Sequence, residues 1–158
     1  MIAYAIGDAT VPRAPRVIIA HIVNNIGAFG GRGSFASALS ARYLDCANAY
    51  RVWSREAGFG LGAIYVWPES PSIGIAHLCA QRGLPSARNP QPLDYAALDA
   101  ALAELAKHVR VVDAPLVQMP RIGVGLARGN WMKIEPLILR HLDPIVPVVV
   151  CDPPKPAR

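Results

Sequence analysis

Apolar positions fall into short runs of two periods. IAYAI (residues 2–6) reads as a brief strand closed by Gly7-Asp8-Ala9-Thr10, and VIIAHIV, inside APRVIIAHIVNN, is a β-branched run of the kind buried on both sheet faces. IGAFGGRG then places four glycines in eight residues ahead of an Ala-rich segment, Ser34 to Tyr43, predicted as a helix with Ser34 as N-cap. ANAYRVWSREAG predicts a second helix ending at Gly58, and GAIYVW and SIGIAHLC predict two strands around the turn PESP. After the proline-rich GLPSARNPQP, Asp94 opens the clearest helix, with Leu98, Leu102, Leu105 and Val109 along one stripe. DAPLVQMPRI supplies a strand, RIGVGLARGNW a glycine loop, and NWMKIEPLILRHL a helix that Asn130 can cap and whose first turn Pro136 should disturb. Trp131 is expected in the core. PIVPVVVCD is the last strand and PPKPAR a tail, so residues 1–152 read as one domain and 153–158 as a flexible extension.

Alternating strands and helices with apolar strands predict a three-layer α/β domain around a largely parallel or mixed sheet. In such sheets ligands bind beyond the carboxyl ends of the strands. Both glycine loops follow a strand and precede a helix, which puts them on one rim if their strands are parallel. At 158 residues the chain suits a single core, and 53% hydrophobic with 17% charged residues excludes a disordered chain. No apolar run reaches membrane length and the N-terminus has no secretory pattern, so the expected location is the cytoplasm. Three cysteines at irregular spacing fit a reducing compartment better than a disulfide framework. The net charge of +5 admits a nucleic-acid partner, but the scattered basic residues do not favour one.

Three stretches carry candidate chemistry. Asp8, at a strand end, fits either a turn residue or an acceptor for an exocyclic amine such as that of adenine. Asn24 and Asn25 can donate to and accept from sugar hydroxyls, and Gly30, Gly31, Arg32 and Gly33 after them suit a flexible loop or a close backbone approach to a ligand. That loop is neither a P-loop, lacking Gly-Lys-Ser/Thr, nor a dinucleotide fingerprint. Gly123, Val124, Gly125, Leu126, Ala127 and Arg128 precede a helix and can turn several N–H groups toward a diphosphate, or make a tight turn. Phe29, exposed on its glycine loop, is a candidate wall beside a sugar. His21, His77 and Cys79 lack metal-site spacing, so no metal is expected, and no cofactor.

GDAT at the first strand end, AHIVNN with its glycine loop, and above all MPRIGVGLARGNW together resemble the macrodomain family of ADP-ribose-binding modules over about residues 2–152. The likeness is to the branch holding terminal ADP-ribose protein glycohydrolase, small bacterial ADP-ribosyl hydrolases and antitoxin relatives that strip ADP-ribose from DNA. The resemblance implies a mixed, roughly six-stranded sheet flanked by helices and a rim cleft for ADP-ribose or an ADP-ribosylated protein. Asp8 and Ala9 would meet adenine, Asn24, Asn25 and Gly30 to Gly33 the distal ribose, and Gly123 to Arg128 the diphosphate. Some members of this branch carry a lysine where Gln81 stands and an aspartate where Ala127 stands. Gln81 cannot form a covalent intermediate with the ribose. The resemblance therefore implies water-based, lysine-independent hydrolysis of carboxylate-linked ADP-ribose, with Gln81 and Asn25 holding the water. The rivals are a reader without turnover and a hydrolase of small derivatives such as ADP-ribose 1″-phosphate or O-acetyl-ADP-ribose.

Overall fold

The computed structural model describes residues 1–157; Arg158, the last residue of the expected tail, lies outside them. Six strands and four helices follow in the order β1 (Ile2–Ile6), β2 (Val17–Asn24), α1 (Phe35–Arg42), α2 (Cys46–Trp53), β3 (Ile64–Pro68), β4 (Ile73–Gln81), α3 (Tyr95–Val112), β5 (Val117–Met119), α4 (Trp131–His141) and β6 (Val148–Asp152). Residues 153–157 have no regular structure. No helix among the described residues is long and apolar enough to cross a membrane.

The strands form one sheet in the order β1-β6-β5-β2-β4-β3. Every neighbouring pair is parallel except β3 and β4, a hairpin joined through the expected PESP turn. The sheet is mixed, and the domain has the three-layer α/β architecture. Alternation in β2 divides its side chains between two cores. Ile18 and Ala20 join Leu98, Leu102, Leu105, Ile134 and Ile138 under α3 and α4, while Val17 and Ile19 join Leu39, Tyr43 and Ile75 under α1. A third cluster joins Val23 and Cys79 to Tyr50 and Trp53 of α2.

The helix starts follow local chemistry. The Ser34 hydroxyl accepts from the Ser37 N–H, the Asp94 carboxylate from the Ala97 N–H, and the Asn130 side chain from the Met132 N–H. Pro136 does not disturb the start of α4: it lies inside a helix that runs on to His141. The second helix ends at Trp53, five residues short of the expected Gly58, and turns fill the interval. Trp131 lies at the border of the core, packed against the main cluster but not enclosed by it. It is half-buried, its indole N–H donates to the Tyr4 hydroxyl and to Glu135, and the Arg121 guanidinium lies 5.2 Å from its ring centre.

Candidate ligand-binding rim

Because β1, β6, β5, β2 and β4 all run in one direction, their carboxyl ends gather on one rim. That rim carries Asp8 after β1, Asn24 and Asn25 at the end of β2, Gln81 at the end of β4 and the Gly123–Arg128 loop after β5. The sheet thus brings all three candidate stretches to one edge.

The Asp8 turn is held from several sides. Asp8 Oδ1 accepts from the N–H and the hydroxyl of Thr10 at 2.8 and 2.7 Å, which keeps its carboxyl below the usual carboxylate range, so Asp8 is ionised. Its Oδ2 lies 3.7 Å from Arg42 Nη2, and the side chain is half exposed. Arg42 Nε donates to the Thr10 hydroxyl and the Tyr43 hydroxyl to the Thr10 carbonyl. Gln118, fully buried in β5, donates to the carbonyls of Ala9 and Val11 and accepts from the Arg13 N–H. Sequence reasoning missed Gln118; the available signal was a lone amide inside the apolar strand LVQM.

The two asparagines have different tasks. Asn24 is buried and spent on its own loop: Oδ1 accepts from the N–H groups of Ile26 and Ala28 and from the Tyr50 hydroxyl, and Nδ2 donates to the Ala28 carbonyl. Asn25 reaches across to the β4 end. Its Oδ1 accepts from the Gly83 N–H at 2.9 Å, while Gln81 Nε2 donates to the Gly83 carbonyl at 2.9 Å. One residue, Gly83, thereby fixes the orientation of both amides through its N–H and its carbonyl. The remaining atoms, the donor Asn25 Nδ2 and the acceptor Gln81 Oε1, make no hydrogen bond among the described residues and are not sealed in the interior. A donor and an acceptor left open at one edge can hold a water or a hydroxyl.

Phe29 is not exposed. It is half-buried and packs against His21, Tyr50 and His77 at 5.8, 5.4 and 6.0 Å between ring centres. Gly30, Gly31, Arg32 and Gly33 beyond it are all exposed, around the entrance to α1. His21 and His77 sit opposite one another on β2 and β4, with His21 Nε2 2.6 Å from His77 Nδ1, and burial pushes the His21 imidazole down to about 3. Burial, then the His21 neighbour, also pushes His77 well below its ordinary value.

The second glycine loop answers to packing and to openness at different positions. Gly129 donates to the Gly123 carbonyl at 2.6 Å, closing the loop on itself. A Cβ at Gly129 would overlap Leu93 Cδ2 and lie 2.7 Å from that carbonyl oxygen, so only glycine fits. Gly125 is the opposite case, with nothing within 4 Å of the place its Cβ would occupy. The N–H groups of Val124, Gly125, Leu126 and Ala127 have no acceptor among the described residues. Arg128, with φ of 54°, turns away to donate to the Pro90 carbonyl and ties this loop to the segment after β4. Ala127 is buried and its carbonyl accepts from Leu93 N–H. At the start of the loop Arg121 clasps Asp152 with two bonds of 2.7 and 2.9 Å, which lowers the Asp152 pKa.

A mainly parallel sheet whose carboxyl rim gathers these loops, one of them with four N–H groups free of acceptors among the described residues, defines an α/β domain of the kind that receives ligands at that rim. No protein-family model matches the chain. A macrodomain protein from Streptomyces coelicolor superposes with a TM-score of 0.82 at 34% identity, covering 96% of this chain and 99% of that one. A protein of unknown function from Bacteroides thetaiotaomicron does so with a TM-score of 0.88 at 34% identity, covering 96% and 98%. Among curated proteins, the DNA ADP-ribosyl glycohydrolase of Mycobacterium tuberculosis is 27% identical over 135 residues, 85% of this chain. The match takes in only 37% of that protein's length. The chain belongs to the macrodomain family.

Proposed function

We propose that the protein binds ADP-ribose across this rim and hydrolyses the bond between ribose C1″ and a carboxylate on a modified protein. The observation that carries the proposal is the run of four N–H groups, Val124 to Ala127, left without acceptors beside the open face of Gly125. A diphosphate is the ligand group that such a run satisfies, and the start of α4 adds its dipole. Asp8 Oδ2 then takes the adenine amine, and the Ala9 N–H, which also lacks an acceptor, takes a ring nitrogen. Asn24 holds the loop while Asn25 meets the distal ribose, with Gly30 to Gly33 and Arg32 along its border.

The chemistry assigned to the rim is modest. Gln81 Oε1 accepts from a water O–H, and Asn25 Nδ2 donates to the same oxygen. The water oxygen bonds to C1″ as the C1″–O bond breaks through an oxocarbenium-like state. The bonding pair leaves with the carboxylate, which departs as an anion and needs no acid. The water's proton passes to a ligand phosphate oxygen or to solvent. Gln81 orients the water and does not deprotonate it, so its contribution is about that of one hydrogen bond, roughly 1.4 kcal/mol or tenfold in rate. Gln81→Ala is therefore expected to lower kcat about tenfold while leaving ADP-ribose affinity nearly unchanged, measured as ADP-ribose release from a Glu/Asp-modified substrate.

Asp8→Ala is expected to weaken ADP-ribose binding about 30-fold, the worth of a hydrogen bond to a charged group. The protein should remain folded, because Gln118, Arg42 and Tyr43 still hold the turn. Calorimetric titration checks it, and unchanged affinity removes the adenine assignment. A second reading, a reader without turnover, is favoured by the absence of an ionisable group at Gln81 and Ala127. ADP-ribose binding with no release from carboxylate-linked, 1″-phosphate, O-acetyl or DNA-linked forms would establish it.

A further inference from the structure

Away from the rim, α2 and the edge strand β3 enclose a groove of about 210 Å³ whose walls include Asp45, Asn48, Trp53, Glu56, Tyr65 and Trp67. Nothing in the proposed reaction uses it. Its chemistry is aromatic and acidic in a chain whose net charge is +5. The rings of Trp53 and Tyr65 stack at 5.8 Å with planes 29° apart. Trp53, whose ring lines the groove, is only 6% exposed, yet its indole N–H makes no hydrogen bond among the described residues and is not sealed in the interior. The Trp67 indole N–H, by contrast, is engaged by Glu69 at 3.1 Å.

The two carboxylates are also unspent. Asp45 stands at the N-cap of α2, where an aspartate ordinarily accepts from the first turn, but it makes no capping hydrogen bond. Glu56 lies in the turn just past α2. Both side chains are exposed, and neither has a cation within 4 Å among the described residues. Burial first, and then the neighbouring Glu69 and Asp45 carboxylates, push the Cys46 thiol of α2 up to about 11.

We propose that this groove binds an arginine side chain presented by a partner polypeptide. A guanidinium is planar, stacks on indole and phenol faces, and carries donors enough for two carboxylates at once. Asp45 and Glu56 take the N–H groups, the part-exposed ring of Trp67 takes the plane, and the Trp53 N–H takes a main-chain carbonyl of the partner segment. The groove's own chemistry leads to this inference, which does not depend on the proposed hydrolase activity.

The test uses the intact protein, labelled with nitrogen-15, and two blocked tripeptides, Gly-Arg-Gly and its neutral isostere Gly-citrulline-Gly. The arginine peptide at millimolar concentration is expected to shift the indole signals of Trp53 and Trp67 and leave Trp131 in place. The citrulline peptide, and the arginine peptide against the Asp45→Asn/Glu56→Gln double variant, should each bind about tenfold more weakly. The rest of the amide spectrum of that variant should stay unchanged, because both side chains are exposed and unbonded. Equal binding of the citrulline peptide, undiminished binding to the double variant, or no movement of either indole would each overturn the proposal.

Discussion

Gly129→Ala is expected to lower stability by about 3 kcal/mol, because the added methyl has nowhere to go. The Leu93 side chain can move aside, but the Gly123 carbonyl is backbone and is already bonded to the Gly129 N–H. Relief therefore requires opening the loop, which in turn disturbs Ile134 of α4. In a chain of this size the loss should appear as a fall in Tm of about 6–12 °C. Gly125→Ala is the matched control. Its methyl meets nothing within 4 Å, so the Tm should hold, while ADP-ribose affinity should fall because the methyl would stand at the proposed diphosphate seat. Thermal melts and calorimetry on the same two variants separate the glycine that the fold needs from the glycine assigned to the ligand. A Gly125 variant with full affinity would show that the N–H run is not the phosphate seat.

Acid should destabilise the protein well before its carboxylates protonate. The groups facing His21 and His77 are one another and the rings of Phe29, Phe35, Tyr50 and Tyr65; no carboxylate is paired with either. His77 Nε2 is sealed with no partner among the described residues. Both imidazoles are thus held neutral in the folded state, while in the unfolded chain they protonate as the pH falls below about 6.5. The unfolded state then binds more protons, so stability is full above that value and declines toward about 3, where His21 itself charges. Between pH 7 and pH 5 the expected loss is about 2 kcal/mol from His21, and His77, also pushed down by burial, adds to it in the same direction. Urea unfolding at the two pH values measures it. Coincident midpoints would mean that the pair takes up its proton without cost.

The strands and helices were legible because local signals agreed with burial. VIIAHIV is apolar toward both faces, and Ser34, Asp94 and Asn130 cap the helices they precede. Trp131 was legible only in part: its ring packs against the main core, while the indole N–H and the Arg121 guanidinium hold its other side at the border with solvent. Phe29 misled: glycines around it suggested exposure, but the histidine and tyrosine rings offered it a better contact. The candidate rim could be named stretch by stretch, since each lies next to a strand end. The supports could not. Gln118 holds the turn at Asp8 from 110 positions away (118 − 8), and Gly83 joins Asn25 to Gln81 only once β2 and β4 pair. Such links are products of sheet order, and sheet order is not written in any local pattern.

Sheet order also decides how this domain can be tethered. β1 and β6 lie side by side and run the same way, and the Gly7 N–H bonds the Asp152 carbonyl where both strands finish. A polypeptide or tag joined after Asp152 thus leaves from the rim itself, beside Asp8 and Arg121. One joined ahead of Ile2 leaves from the far side of the sheet, a strand length or about 16 Å away. Immobilisation through the amino end presents the rim to solvent, whereas immobilisation through the carboxyl end turns it toward the support.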